Sequence, residues 1–225
     1  MHPDSPLSAD DLNAMADNLH NLTPEQLRSN LDKLLASLPD DVREQFLQHE
    51  IDARARPQRP VLSEVTPASL GALDEDEREQ ALIAYVDHNI NLDDDRLAAL
   101  LRLPRGLQVV YLSFLVEAEA VNGGLHQFFW NPSADFAELV APALTDLGAA
   151  AAAEIFAQAL EVARSESARR EALRADGSWE AFVQSSEESF LRTFDSAFGD
   201  QAAGLAALRA RFLQDNGPLL IHAAH

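Results

Sequence analysis

Between Arg105 and Val121 the chain reads "RGLQVVYLSFLVEAEAV", and its apolar residues fall at helical intervals. Leu107, Val110, Tyr111, Phe114, Leu115 and Ala118 recur at i, i+3, i+4, i+7, i+8 and i+11, the spacing of one helix face. Val109, Leu112 and Val116 line a second face. A helix apolar almost all round belongs at the centre of its bundle. Pro104 stands just before it, where a fixed φ and a missing N–H suit a helix start. The β-branched run inside this stretch lacks strict alternation, so helix prevails over strand.

The same reading predicts helices over about 74–90, 94–103, 134–147, 149–165, 178–198 and 200–215. Pro142 predicts a kink or break in one of them. Gly148 predicts a stop before an alanine run. The fold class is therefore all-α, a multi-helix bundle. Nearer the start, Thr23-Pro24-Glu25-Gln26 is a capping box with Pro at the first helical position. Leu27, Leu31, Leu34, Leu35 and Leu38 follow it at helical spacing. With shorter helices before and after, this predicts an N-terminal helical extension over 1–55. Pro57, Pro60 and Pro67 interrupt helical continuation and predict a Pro-rich linker over 56–73, with the main helical domain at 74–225.

Composition narrows the class. The chain has 225 residues, 47% of them hydrophobic, enough for a real core. It has no long apolar run of membrane-spanning length. Its start, "MHPDSPLSADDL", has neither a basic nor an apolar signal region, so a cytoplasmic location is expected. The absence of cysteine excludes disulfides, thiolate zinc sites and Cys nucleophiles.

Charge adds more. Thirty-seven acidic residues against 17 basic ones give −20. Such a surface repels nucleic acid and anionic lipid and attracts basic proteins. Direct nucleic-acid or membrane binding is therefore not expected. The densest acidic clusters are "DEDERE" from Asp74 and "DDD" from Asp93. Candidate partner-binding carboxylates are Asp74, Glu75, Asp76, Glu77, Glu79, Asp87, Asp93, Asp94 and Asp95. Both clusters also open helices, where carboxylates cap the chain and complement its dipole. B-DNA carries one charge per ~1.7 Å, so twenty charges correspond to roughly 34 Å of duplex. A symmetric dimer would double this and face both halves of a dimeric regulator.

Other chemistry is sparse. The seven histidines form no metal-binding set, and His222 and His225 share a terminal "HAAH". "DDD" lacks the spaced ligands and glycine of a calcium loop. Phosphate-loop and nucleophile-elbow motifs are absent from the sequence. No metal or cofactor is expected. The stretch "EAVNGGLHQFFWN" remains. Asn122, Gly123 and Gly124 predict a helix stop. Leu125, Phe128, Phe129 and Trp130 then repack on the core, and Ser133 is expected to cap the next helix. Glu119 lies three residues after Val116 and seven after Leu112, so it faces inward and needs partners. Backbone N–H groups of the turn, His126 or Gln127 are the candidates. The functional alternative is a Glu119/His126 acid–base pair; the structural role is preferred. A phosphate cradle is disfavoured, because these glycines end a helix rather than open one.

"EAEAVNGGLHQFFWN" resembles the Asn-Gly-Gly motif of the DNA mimic protein 19 family, a widespread bacterial family. Its residues here are Glu119, Asn122, Gly123, Gly124, Gln127, Phe128 and Phe129. "LPRGLQVVYLSFLVEAE" resembles the family's central helix, and "FAELVAPALTDLGAAAAAEIFAQAL" its paired helices. "SFLRTFDSAFGD" resembles a later segment, here with Phe190, Phe194, Asp195 and Phe198. The resemblance covers roughly 75–220. It implies an all-helical fold with a structural motif at Asn-Gly-Gly. It also implies an acidic, non-enzymatic interaction protein, dimeric in the best-studied member, that occupies the DNA-binding surface of a transcription regulator. Two other readings stand beside it: an immunity or adaptor-type protein-binding module, and an enzyme using Glu119 and His126.

Overall fold

The chain divides into two units, Met1–Gln58 and Arg59–His225. The computed structural model describes residues 62–176 and 178–221, all in the second unit. The N-terminal extension, the linker before residue 62, and His222 and His225 lie outside the described residues.

Among the described residues the structure is all helical. The elements are α1 (Pro67–Gly71), α2 (Glu75–Asn91), α3 (Arg96–Arg102), α4 (Arg105–Trp130), a 3₁₀ turn (Pro132–Phe136), α5 (Ala137–Leu147), α6 (Ala150–Ser165), α7 (Ser167–Arg174), α8 (Trp179–Glu188), α9 (Arg192–Ala202), α10 (Leu205–Asp215) and a second 3₁₀ turn (Gly217–Leu220). As its pattern requires, α4 is central: α2, α5, α8, α9 and α10 all pack on it. Val109, Leu112 and Val116 are fully buried. Phe128, Phe129 and Phe156 form the aromatic middle of the core, with ring centroids 5.3–5.5 Å apart. Each such fully buried side chain contributes roughly 1.5–3 kcal/mol. Helices α5 and α6 form a hairpin at Gly148, whose φ of 91° is the left-handed cap that L side chains rarely adopt.

The structure differs from the pattern at several places. Part of the expected linker is ordered helix. Thr66 caps α1 with Pro67 in its first turn, and Leu62, Val65 and Leu70 pack against the core. The helix is uninterrupted at Pro142, within α5. The helix expected at 178–198 is two helices. At the break, the Glu166 carboxylate accepts the Ser189 hydroxyl at 2.6 Å and the Phe190 N–H at 2.8 Å. Helix α10 begins at Leu205 rather than near 200. Helix α7 was not expected; it is eight residues long and has no buried residue.

Candidate functional site

The Asn-Gly-Gly stretch breaks α4 without ending it. Gly123 (φ −156°, ψ 25°) and Gly124 (φ 75°, ψ 177°) leave the helical conformation, and the chain turns helical again through Trp130. The restarted segment exposes an N–H at Leu125 with no preceding turn to receive it. Asp195, on α9, accepts that N–H through Oδ1 at 2.9 Å. A Cβ on Gly124 would lie 2.7 Å from Asp195 Oδ2, so Gly124 is required by its φ and by its neighbour.

Glu119 stands one turn before the break. Its carboxylate accepts Gln127 Nε2 at 2.8 Å, Asn131 Nδ2 at 2.9 Å and Ser133 Oγ at 2.7 Å. Glu119 is half-buried. The carboxylate thus bridges the two segments of α4 and the following 3₁₀ turn. Of its expected partners, Gln127 is present, whereas backbone N–H groups and His126 are not. Ser133 serves Glu119 rather than capping the next helix, and α5 has no side-chain N-cap.

His126 is fully buried and engaged elsewhere. Its Nε2 lies 2.9 Å from Ser185 Oγ. Its ring packs against Trp130 and Phe182, with centroids 5.7 and 5.3 Å away. Burial, reinforced by the nearby Arg170 charge, pushes its pKa down to about 4. Among the described residues, Nδ1 has no hydrogen-bond partner. No hydrogen bond joins Glu119 to His126, so the acid–base pair allowed by the sequence is not assembled. Phe128 and Phe129 are core residues, and Asn122 is exposed.

The nine candidate acids differ in how far the fold already uses them. Several have structural tasks. Glu79 pairs with Arg209 at 2.8 Å, and Glu117 pairs with the same guanidinium at 2.6 Å. Asp87 accepts the Tyr111 hydroxyl at 3.2 Å; burial and that carboxylate raise the Tyr111 pKa. Asp95 accepts the Ala98 N–H at 2.9 Å and so caps α3. The Asp74 N–H donates to Glu77 at 3.2 Å at the start of α2. Asp93 accepts the Asp95 N–H and pairs with Arg102, which hold its carboxyl below the usual range. Asp74, Glu77, Asp87, Asp94 and Asp95 are solvent-exposed. Glu75 and Asp76 lie in the first turn of α2.

Arg209 was not singled out from the sequence, although it was detectable there. Leu205, Arg209 and Phe212 occur at i, i+4 and i+7, and all three are buried. A charge on a core stripe calls for buried counter-charges. The region contains no group of three or more His, Asp or Glu side chains arranged to hold a metal, among the described residues. No described helix is long and apolar enough to cross a membrane.

These features define a class: an all-helical domain whose central helix is broken at paired glycines and restarted by a carboxylate from a later helix. The chain belongs to the DMP19-like protein family, whose model matches residues 101–216. The match spans the break, Glu119, His126 and Asp195; it begins after all nine acidic candidates. That family is not a known family of enzymes. Among curated proteins and solved structures, none matches the chain.

Proposed function

We propose that this protein is a non-enzymatic acidic interaction protein that acts as a DNA mimic, binding the DNA-binding surface of a basic partner such as a transcription regulator. The observation that carries this reading is how the charge is distributed. Six arginines of the described residues (Arg102, Arg105, Arg164, Arg169, Arg209 and Arg211) are tied up in ion pairs within the fold. Asp94, Glu154, Glu180 and Asp200 are exposed, and none of them forms an ion pair among the described residues. The outward field is therefore negative. It favours a cationic protein surface and disfavours nucleic acid. Membership in the family supports the same reading through the resemblance given above.

The test is retention of cellular proteins on the immobilised full chain at low salt, followed by elution with a DNA duplex. Release of a DNA-binding protein by DNA, and loss of binding as salt rises, is the expected result. A retained protein that ignores DNA and survives high salt overturns the mimicry reading. Neutralising Asp74, Asp94 and Asp95 together should weaken the interaction. Glu79 is left intact in that variant, because it holds Arg209.

A further inference from the structure

The corner between α2 and α3 carries three of the exposed leucines of the described residues. Leu92 is 74% exposed, Leu97 37% and Leu101 52%. Leu97 and Leu101 are four residues apart on α3, hence adjacent on one helix face. Ala99 and Leu100, on the same helix, are buried. The ion pair of Asp93 with Arg102 folds the α2–α3 loop back along α3. Leu92 and Leu101 are the chain neighbours of the two residues in that pair.

This corner is held rigidly. Asp95 caps α3 at the Ala98 N–H. Arg96 anchors its start, with Nη1 donating to the Pro132 carbonyl at 3.4 Å and the guanidinium 5.1 Å from the Phe136 ring. A helix already formed presents the leucines with a smaller backbone ordering cost on binding. Around them, the Arg102 charge is matched by Asp93, and Asp94 and Asp95 remain exposed carboxylates.

We infer that this corner is a protein-docking face, and that its occupant is a basic amphipathic surface. Apolar groups of the partner cover Leu92, Leu97 and Leu101, and flanking Arg or Lys side chains meet Asp94 and Asp95. The inference rests on the protein-binding reading above and adds what phosphate mimicry by itself lacks, an apolar centre that DNA cannot imitate. Charge complementarity selects the occupant. A second copy of this chain, docked about a two-fold axis at the same corner, would set these carboxylates against each other. Anionic lipid and nucleic acid are repelled by the same groups.

The test uses the full chain, isotope-labelled at its leucine methyls, titrated with a short synthetic helical peptide bearing leucines on one face flanked by arginines. A control peptide carries glutamates in place of the arginines. The expected result is that the arginine peptide shifts the methyl resonances of Leu92, Leu97 and Leu101 and leaves buried Leu100 and Leu107 in place, while the glutamate peptide does neither. The exposed pair Leu97→Ser with Leu101→Ser should weaken binding about tenfold or more, with an unchanged thermal melt. No binding, shifts confined to other leucines, or equal affinity of that variant would overturn the inference. The two readings fail separately. Equal affinity of the leucine variant with loss in Asp94→Asn, Asp95→Asn removes the docking face and leaves charge mimicry. Leucine-dependent binding combined with a cellular partner that DNA does not displace removes mimicry and leaves the docking face.

Discussion

The Asp195 carboxylate caps a helix to which it is not joined: its Oδ1 accepts the Leu125 N–H at 2.9 Å, seventy residues away in sequence. The usual N-cap comes from the residue just before a helix. Here Gly124 occupies that place and has no side chain, so the cap is supplied across the bundle by α9. Gly124 and Asp195 are therefore one device. The glycine opens the space that the carboxylate fills.

Removing either half should destabilise the domain, and removing both should cost less than the sum. Asp195→Ala deletes the acceptor at a part-buried N–H, a loss of about 1–3 kcal/mol. Gly124→Ala forces a Cβ onto a residue at φ 75° and within 2.7 Å of Asp195 Oδ2, and should cost about 2–3 kcal/mol. In Gly124→Ala with Asp195→Ala the steric part of the glycine effect disappears. Urea unfolding of the four proteins gives the coupling directly. Strict additivity would mean that the two residues do not act together.

Glu119 organises the break from the other side. Its carboxylate receives donors from Gln127, Asn131 and Ser133, so Glu119→Ala leaves all three without their acceptor. The expected loss is about 2–4 kcal/mol, since hydrogen bonds to a charged group are the stronger kind. Glu119→Gln keeps one carbonyl acceptor but adds a donor where only donors converge, so it should lose a large part of that stability. Partner binding by folded protein should be unchanged in both variants. A binding defect at full folding would instead give Glu119 a direct role.

Much of this device was legible in the sequence, and the illegible part has a physical reason. The period of α4 and the glycines after it predicted a buried helix that stops at Asn-Gly-Gly; the structure shows a break there and a helical restart through Trp130. The inward direction of Glu119 followed from its spacing to Val116. What closes the interruption was not readable, because Asp195 belongs to a helix whose own start is set by Glu166, acting on Ser189 and Phe190. Both contacts are tertiary, and no local pattern encodes them. Ser133 looked like a helix cap because its chemistry suits that role, but Glu119 competes for the same hydroxyl and wins. The acidic clusters read as possible contact surface from charge density alone. Their partners, Arg102 for Asp93 and Arg209 for Glu79, become visible only in three dimensions.

Arg209 ties α10 to α2 and α4 through Glu79 and Glu117, with its guanidinium 5.8 Å from the Phe114 ring. Arg209→Met keeps much of the packing volume and removes the charge. It leaves two half-buried carboxylates facing each other, a change of about 3 kcal/mol against the fold. Adding Glu79→Gln and Glu117→Gln removes the stranded charges and should recover much of the loss. Thermal unfolding of the single and triple variants at neutral pH checks this. No recovery in the triple variant would show that Arg209 acts through packing alone.

His126 gives the fold a pH dependence of defined sign. Its folded pKa is pushed down to about 4 from the ordinary 6.5 by burial and by Arg170. With the folded value below the unfolded one, the unfolded chain binds the proton first as pH falls. Stability from the neutral ring is therefore fully present above pH ~6.5 and is lost progressively toward pH ~4. Between pH 7 and pH 5 the expected loss is about 2 kcal/mol, at ~1.4 kcal/mol per pKa unit. Glu166 and Arg169, also near the ring, act in opposite directions on it and leave the sign unchanged. In His126→Gln the proton-binding group is gone, while a side chain that can meet the Ser185 hydroxyl remains. Urea midpoints measured across this range should fall steeply for the native chain and more gently for the variant, whatever their absolute stabilities. Parallel slopes would mean that His126 is not the group being titrated, and that the nearby carboxylates govern the acid limb.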